Sequence, residues 1–530
     1  MTTPFISVVT VIAKTGGARA LMGKIFIACR IRGIISVWAM VVTAVSGWAQ
    51  DVVTEIGSRR ELFVDGALVD QLKGQAELRL HHPVPREVVM VFDRPWEGNA
   101  TAYSFILKDG DKYRMYYRAW QLEVSPDGMK PGPNPMAVCY AESEDGINWR
   151  RPDLGLHEFQ GSKQNNIMFV PGEIGGVKTV PGAPAVFKDD RPGVQADALY
   201  KTFVHYNRYG GGQLPLKSPD GIHWSLMSDV PAISDPNFNA FDSQNCAFWD
   251  ASRGEYRAYW RYYDPVAKAR SIRTATSKNF LHWENRADLR YVDSPIEELY
   301  ENFVAPYHRA PHLLIGLPVR YIERGWSDSM RALPDREIRE WRAGRTPVPD
   351  LSAPDGRATG VTVALAHGRN AVTVHERYGT ALTESLIMAS RDGFTFKRWN
   401  EAFVPPGPER TGTWNYGHSY IAPNVVETKS ALAGAPNELS LYASENYGIK
   451  GGSALRRHTL RLDGFVSVQA PSSGGEVVTK LVRFSGAKLL LNFSTSAAGS
   501  LRVELQDLNG NPLPGFALAD CPPIFGDTIE

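Results

Sequence analysis

Apolar and polar positions alternate along this chain in short runs, and the runs end at one recurring kind of turn. "YAESEDGINW" (140–149), "LKSPDGIHW", "TATSKNFLHW" and "MASRDGFTF" place a Ser, a turn-forming pair and an aromatic at fixed offsets. The four copies align on Ser143, Ser218, Ser277 and Ser390 and end on Trp149, Trp224, Trp283 and Phe396. Period-two alternation predicts strands, and Asp-Gly tolerates the positive φ of a tight hairpin. The third copy has Lys278-Asn279-Phe280 in place of Asp-Gly, which weakens that turn. Further strand signals precede each phrase, as in "TAYSFILKDG" and "DKYRMYYRAW" ahead of the first. A fifth unit, "GHSYIAPNVV", "NELSLYASENYG" and "LRRHTLRLDG", keeps the strands and lacks the phrase.

Self-similar units of three or four strands predict an all-β chain, a five-bladed β-propeller over 57–464. "RRELFVDGALVD" (59–70) is a strand-like segment that could close the ring on the fifth blade. Helical periodicity is confined to "PDREIREWRAG" (334–344), read as a surface insertion. From 465 to 530 the pattern becomes that of a C-terminal β-sandwich, truncated because only about four strands fit where about seven are usual. Residues 1–49 read as a signal peptide or targeting segment. Lys24, Arg30 and Arg32 precede the apolar run 33–49, with small residues before a cleavage site at Ala49. The run falls short of the ~20 residues of a membrane span. The expected location is secreted or periplasmic, with no span once the segment is removed.

Composition narrows the function classes. The chain is 43% hydrophobic and 22% charged, and its net charge of +1 leaves no basic excess for nucleic acid. With 13 Trp, 21 Tyr and 22 Phe it is rich in flat apolar side chains that suit strands and sugar faces. Cys139, Cys246 and Cys521, the three beyond the leader, form no disulfide framework, and the first two read as buried thiols.

In a propeller the innermost strands converge on one channel, so acids at their entry ends meet. Glu97 in "RPWEGNATAY", Asp242 in "NAFDSQNCAFWD", and Glu297, Glu298 and Glu301 in "SPIEELYENFVAPY" stand at such places. Opposed carboxylates are what glycosidic cleavage needs: one holds a proton for the leaving oxygen, the other attacks or activates water. Glu97, Asp242, Glu297 and Glu301 are therefore the catalytic candidates. Asn99, Arg118, Trp120, Gln244, Asn245, Asn302, Trp414, Tyr416 and Glu445 are the candidates for substrate contact. Asp145, Asp220 and Asp392 are hairpin formers, and Asp65 reads as structural. His308 and His418 lack ligand spacing, so no metal site or cofactor is expected. A channel calcium is compatible with the fold, but no ligand loop is visible.

"WEGNATAYSFILKDGDKYRMYYRAW" resembles the opening of the five-bladed propeller glycosidases, glycoside hydrolase families 32 and 43. "FDSQNCAFWD" resembles their segment bearing the transition-state-stabilising Asp, which implies Asp242. "YENFVAPY" resembles the segment of their general acid, which implies Glu301, with Glu297 close enough to be the equivalent. Glu97 would then be nucleophile in a retaining enzyme or base in an inverting one, and the tail resembles the family 32 sandwich. The implied function is hydrolysis of oligo- or polysaccharides. Two other readings stand beside it. One is a glycan-binding propeller without catalysis. The other is a sialidase-like enzyme, since the phrases resemble sialidase Asp-boxes and Arg118, Arg261 and Arg320 lie on or near second strands. A scaffold for protein partners would lack the aromatic funnel.

Overall fold

In the computed structural model the described residues are 5–12, 53–125, 128–208, 210–237, 240–343, 374–448, 452–507 and 509–530. The chain is almost entirely β and divides into two compact units, Arg79–Ser467 and the pair Met1–Leu78 with Val468–Glu530.

Within the larger unit five sheets follow one another in chain order, antiparallel except that Arg290–Val292 runs parallel to Thr395–Arg398 in the fourth. The first is built from Ala102–Asp109, Lys112–Ala119, Ala137–Ser143 and Trp149–Arg150. The second runs through Phe187–Lys188, Tyr200–Tyr206, Gln213–Ser218 and Ser225–Leu226. The third is Cys246–Asp250, Glu255–Asp264, Ala269–Ser277 and Trp283–Asp288. The fourth is Val304–Tyr307, Ala310–Gly316, Met388–Ser390 and Thr395–Arg398. The fifth is Val426–Thr428, Glu438–Glu445, Ala454–Arg461 and, last, Val84–Val91 from ahead of the first sheet. One core gathers residues of the first four sheets, among them Tyr116, Leu216, Trp260 and Met388. Another joins the first sheet to the fifth through Met115, Tyr117, Tyr442 and Leu455.

The repeated phrase is the connection between the third and fourth strands of sheets one to four. In every copy the Ser Oγ accepts from the backbone N–H three residues on: Gly146, Gly221, Phe280 and Gly393, at 2.8–2.9 Å. The Asp or Asn Oδ1 accepts from the next two N–H groups, as Asp145 does from Ile147 and Asn148. These bonds do for the turn what a ladder does for a strand. Burial alone would raise the Asp145 and Asp220 carboxyls, but the N–H donations outweigh it and hold both at about 2. The fifth sheet has no phrase because its fourth strand is not the next segment of chain, so there is no hairpin to make. The third copy keeps the full bonding pattern through Asn279, at the cost of a φ of +70° at Phe280 where the others have glycine.

Three expectations change. The strand that completes the fifth sheet is Val84–Val91, not 59–70. Residues 57–78 do not belong with the sheets: Val69–Gly74 pairs with Gly475–Thr479, and Thr54–Gly57 with Val482–Phe484. The smaller unit is thus built from both ends of the chain, not from 465–530 alone. The helix Arg336–Arg342 forms as predicted, but it buries Arg339, which donates to the carbonyls of Thr413 and Trp414. Of the expected leader, Phe5–Ile12 forms a strand beside Gly475–Thr479 and Gly499–Gln506. The apolar run 33–49 lies outside the described residues. No helix among the described residues is long and apolar enough to cross a membrane.

Candidate active site

The loops that enter the first strands are tied to one another by side-chain amides. Gln244 donates to the carbonyl of Pro184 and, at 3.4 Å, to that of Tyr103. Asn302 donates to the Gln244 carbonyl at 3.1 Å, and Asn424 to the Ile106 carbonyl at 2.9 Å. Gln244 and Asn302 are therefore braces between sheets, each with its amide oxygen buried and unpartnered. Asn245 turns its amide onto the carbonyls of Phe241 and Ser243.

Glu301 ends the strand Leu299–Glu301, which pairs with Val319–Glu323 just ahead of the fourth sheet. It is 3% exposed, and its Oε1 has no hydrogen-bond partner. Burial pushes its carboxyl up to about 8 against the opposing pull of Arg118 and Arg261. Arg261, on Glu255–Asp264, holds Asp242 and donates to the Tyr300 carbonyl at 3.0 Å. The Asp242 side chain stays half exposed, although Arg261 is buried. Phe241 and Ser243, flanking Asp242, have φ of +67° and +150°, and Tyr103 and Trp414 take +55°. Such conformations cost about 1–3 kcal/mol each in non-glycine residues and gather where surroundings over-determine them.

Around these acids stands a column of stacked tyrosines. Tyr103 stacks on Tyr420 with ring centroids 5.4 Å apart, Tyr420 on Tyr300 at 5.6 Å, and Tyr300 on Tyr321 at 5.4 Å. Guanidinium groups cover the faces: Arg118 lies 4.1 Å from the Tyr103 centroid, and Arg270 lies 5.0 Å from Tyr300. Tyr300 shares a 2.8 Å hydrogen bond with Tyr416. Burial and Asp242 raise the Tyr300 phenol, but Arg261, Arg377 and Arg270 bring it below its ordinary value. In Tyr103, Tyr416 and Tyr420 burial wins, and their phenols are raised. His205 is neutral: burial lowers it to about 4, and the Gln213 side chain bonds its Nδ1 at 3.0 Å.

The other nominated residues fall into place differently. Glu97 makes none of these contacts. It is fully buried, its Oε1 taken by Tyr117 and Arg151 at 2.7 Å each and its Oε2 by the Arg94 N–H at 2.9 Å. These bonds, with a second from Arg151 at 3.1 Å, occupy both oxygens of Glu97. Glu297 is clamped by Arg320 and Arg398, at 2.7 Å each, whereas Glu301 has no such ion pair among the described residues. Glu445 is paired with Arg410 at 2.8 Å and Arg456 at 2.7 Å. Asn99 grips the backbone of Leu122 with both side-chain atoms, and Trp120 lies under the Arg118 guanidinium at 4.7 Å. Trp414 donates to the Gly407 carbonyl. Of the three arginines of the sialidase-like reading, Arg118 and Arg261 act on Glu301, while Arg320 serves Glu297 and Glu384.

Tyr103, Tyr300, Tyr420, Arg270 and Arg377 were not singled out from the sequence. A Tyr immediately before the acid in "LYENF" was the one available signal. No cluster of His, Cys, Asp and Glu able to hold a metal occurs among the described residues. A cavity of about 440 Å3 lies between the first, fourth and fifth sheets, against Leu107, Phe303, Ile315 and Val426. None of the nominated residues lines it.

No protein-family model matches the sequence, and no curated protein does. Several solved structures are similar to the chain. A glycosyl hydrolase from Bacteroides ovatus is 14% identical, with a TM-score of 0.35, over 74% of this chain and 97% of its own. An endo-arabinase from Bacteroides thetaiotaomicron is 10% identical, with a TM-score of 0.37, over 71% and 98%. A family 117 glycoside hydrolase from Zobellia galactanivorans is 10% identical, with a TM-score of 0.36, over 73% and 90%.

Proposed function

We propose that the protein is a secreted glycoside hydrolase whose five sheets are the blades of a propeller, with Glu301 as general acid and Asp242 as its partner carboxylate. The observation that carries the reading is Glu301: a buried carboxyl with no ion pair, raised to about 8 and so protonated at neutral pH. A proton donor for a departing sugar oxygen needs that state, and a second carboxylate in a more polar setting complements it. Asp242, half exposed and paired with Arg261, has that setting. It would stabilise positive charge at the anomeric carbon or attack it, while Glu97 positions the first sheet. Trp120 and Trp414, both partly exposed, offer aromatic surface to a sugar ring.

The test uses aryl glycosides of graded leaving-group acidity. Glu301→Gln should cut kcat/KM about 100- to 10,000-fold for poor leaving groups. It should spare activated ones such as dinitrophenyl glycosides, which depart without a proton. An equal loss across the series removes Glu301 as the acid. The glycan-binding reading draws on one observation, the saturation of Glu97 that removes the third acid from play. It predicts sugar binding with no turnover by the wild type.

A further inference from the structure

The cavity of about 440 Å3 between the first, fourth and fifth sheets is far larger than the gaps that close packing leaves, and it falls in the range of ligand pockets. Its walls are mainly apolar: Leu107 from the first sheet, Phe303, Ile315 and Leu317 from the fourth, and Val426 from the fifth. The small side chains of Ala305, Pro306 and Val425 border it and leave the space unfilled. Such walls offer water few hydrogen bonds. Four polar side chains share the lining, Lys108, His308, Asn424 and Glu427, and three of them are already engaged. Asn424 donates to the Ile106 carbonyl at 2.9 Å. Glu427 accepts from Asn437 at 2.7 Å and lies 3.6 Å from both His308 and Arg309. Burial would raise the Glu427 carboxyl, but Asn437, Arg309 and His308 outweigh it and hold it below its ordinary value. Burial lowers His308, which is therefore neutral at neutral pH. Lys108 differs. It is exposed at the cavity, its Nζ 5.4 Å from the ring centroid of Tyr113, whose hydroxyl donates to the Glu427 carbonyl. Lys108 has no carboxylate partner among the described residues, so the lining charge left without a counter-ion is positive.

We infer that this cavity binds a small amphiphilic anion, an apolar chain ending in a carboxylate, with the chain against Phe303, Ile315 and Val426 and the carboxylate at Lys108. Removal of the chain from water supplies the affinity, and the ammonium group selects the charge of the head. A cationic head is disfavoured, because the Glu427 carboxylate already has Arg309 beside it. Glu301, Asp242 and Arg261 do not line this cavity, so the inference does not depend on the function proposed above.

The test is calorimetric titration of the full chain with hexanoate, octanoate, octanol and octylamine, each below the concentration at which it aggregates. Octanoate should bind about 10-fold more tightly than hexanoate, the worth of two buried methylenes. It should bind about 2- to 5-fold more tightly than octanol, the worth of one solvent-facing ion pair, and that margin should shrink as salt is raised. Lys108→Met should remove the margin without weakening octanol, and Lys108→Arg should keep it. Val425→Trp, which sets an indole in the cavity, should abolish binding of octanoate and octanol alike, with circular dichroism to show that the variant is folded. Should that variant fail to fold, Lys108→Met, at an exposed position, carries the test by itself. No binding of octanoate at millimolar concentration, an affinity that does not rise with chain length, or binding of octylamine as tight as that of octanoate overturns the inference. So does an anion preference that survives Lys108→Met, or undiminished octanoate binding in folded Val425→Trp.

Discussion

At the scale of single residues, the decisive contrast is between two buried glutamates. Glu97 and Glu301 are both sealed from solvent, yet Glu97 has Tyr117 and Arg151 on its oxygens and Glu301 has an oxygen with no donor. Sequence reading placed both at strand entries and could not tell them apart. The partner that settles Glu97, Arg151, lies 54 residues away and carries no motif. The same holds for Glu297, whose arginines come from two later strands. Glu301 has a thermodynamic signature. Its folded pKa is raised, so its stabilising contribution is complete below the ordinary glutamate range and drains away as pH rises toward 8. Glu301→Gln has no such loss. Relative to the variant, the wild type should lose up to about 1.4 kcal/mol per pH unit between roughly pH 5 and 8, seen as a narrowing or reversal of their melting-temperature difference. Parallel melting curves across that range would contradict a raised carboxyl.

At the scale of elements, the hairpins were legible because their chemistry is local. Ser and Asp at fixed offsets bond to N–H groups two or three residues on, and the spacing alone implies the turn. What the spacing could not reveal is how the third copy copes. Phe280 adopts φ +70° and yet is completely buried, stacked on Phe203 at 4.8 Å. Two effects compete there. Glycine would relieve a backbone cost of about 1–3 kcal/mol, whereas losing a buried phenyl ring costs about 3–5 kcal/mol. Packing should win, so Phe280→Gly is expected to destabilise by roughly 2 kcal/mol in denaturant unfolding. A stabilised variant would show that the turn, not the ring, limits this sheet. Helix Arg336–Arg342 was placed within two residues from its periodicity, but its role was not, because Arg339 meets its carbonyl partners some 75 positions away.

At the scale of the whole chain, repetition disclosed five units, and one missing phrase pointed to the sheet that is completed differently. The completing strand itself, Val84–Val91, was passed over for 59–70, since an edge strand with exposed valines reads weakly in a sequence. The tyrosine column was invisible for a similar reason: Tyr103, Tyr300, Tyr321 and Tyr420 come from far-apart segments, and only their assembly creates a dry setting for an acid. On the function proposed above, burial in this assembly keeps Glu301 protonated at neutral pH, ready to donate to a leaving group. The most direct measurement is the pH dependence of kcat/KM on a glycoside with a poor leaving group, for the wild type and Glu301→Gln. An alkaline limb near pH 8 is expected in the wild type, and its disappearance in the variant. An identical limb in both proteins, or undiminished activity in the variant, would contradict it.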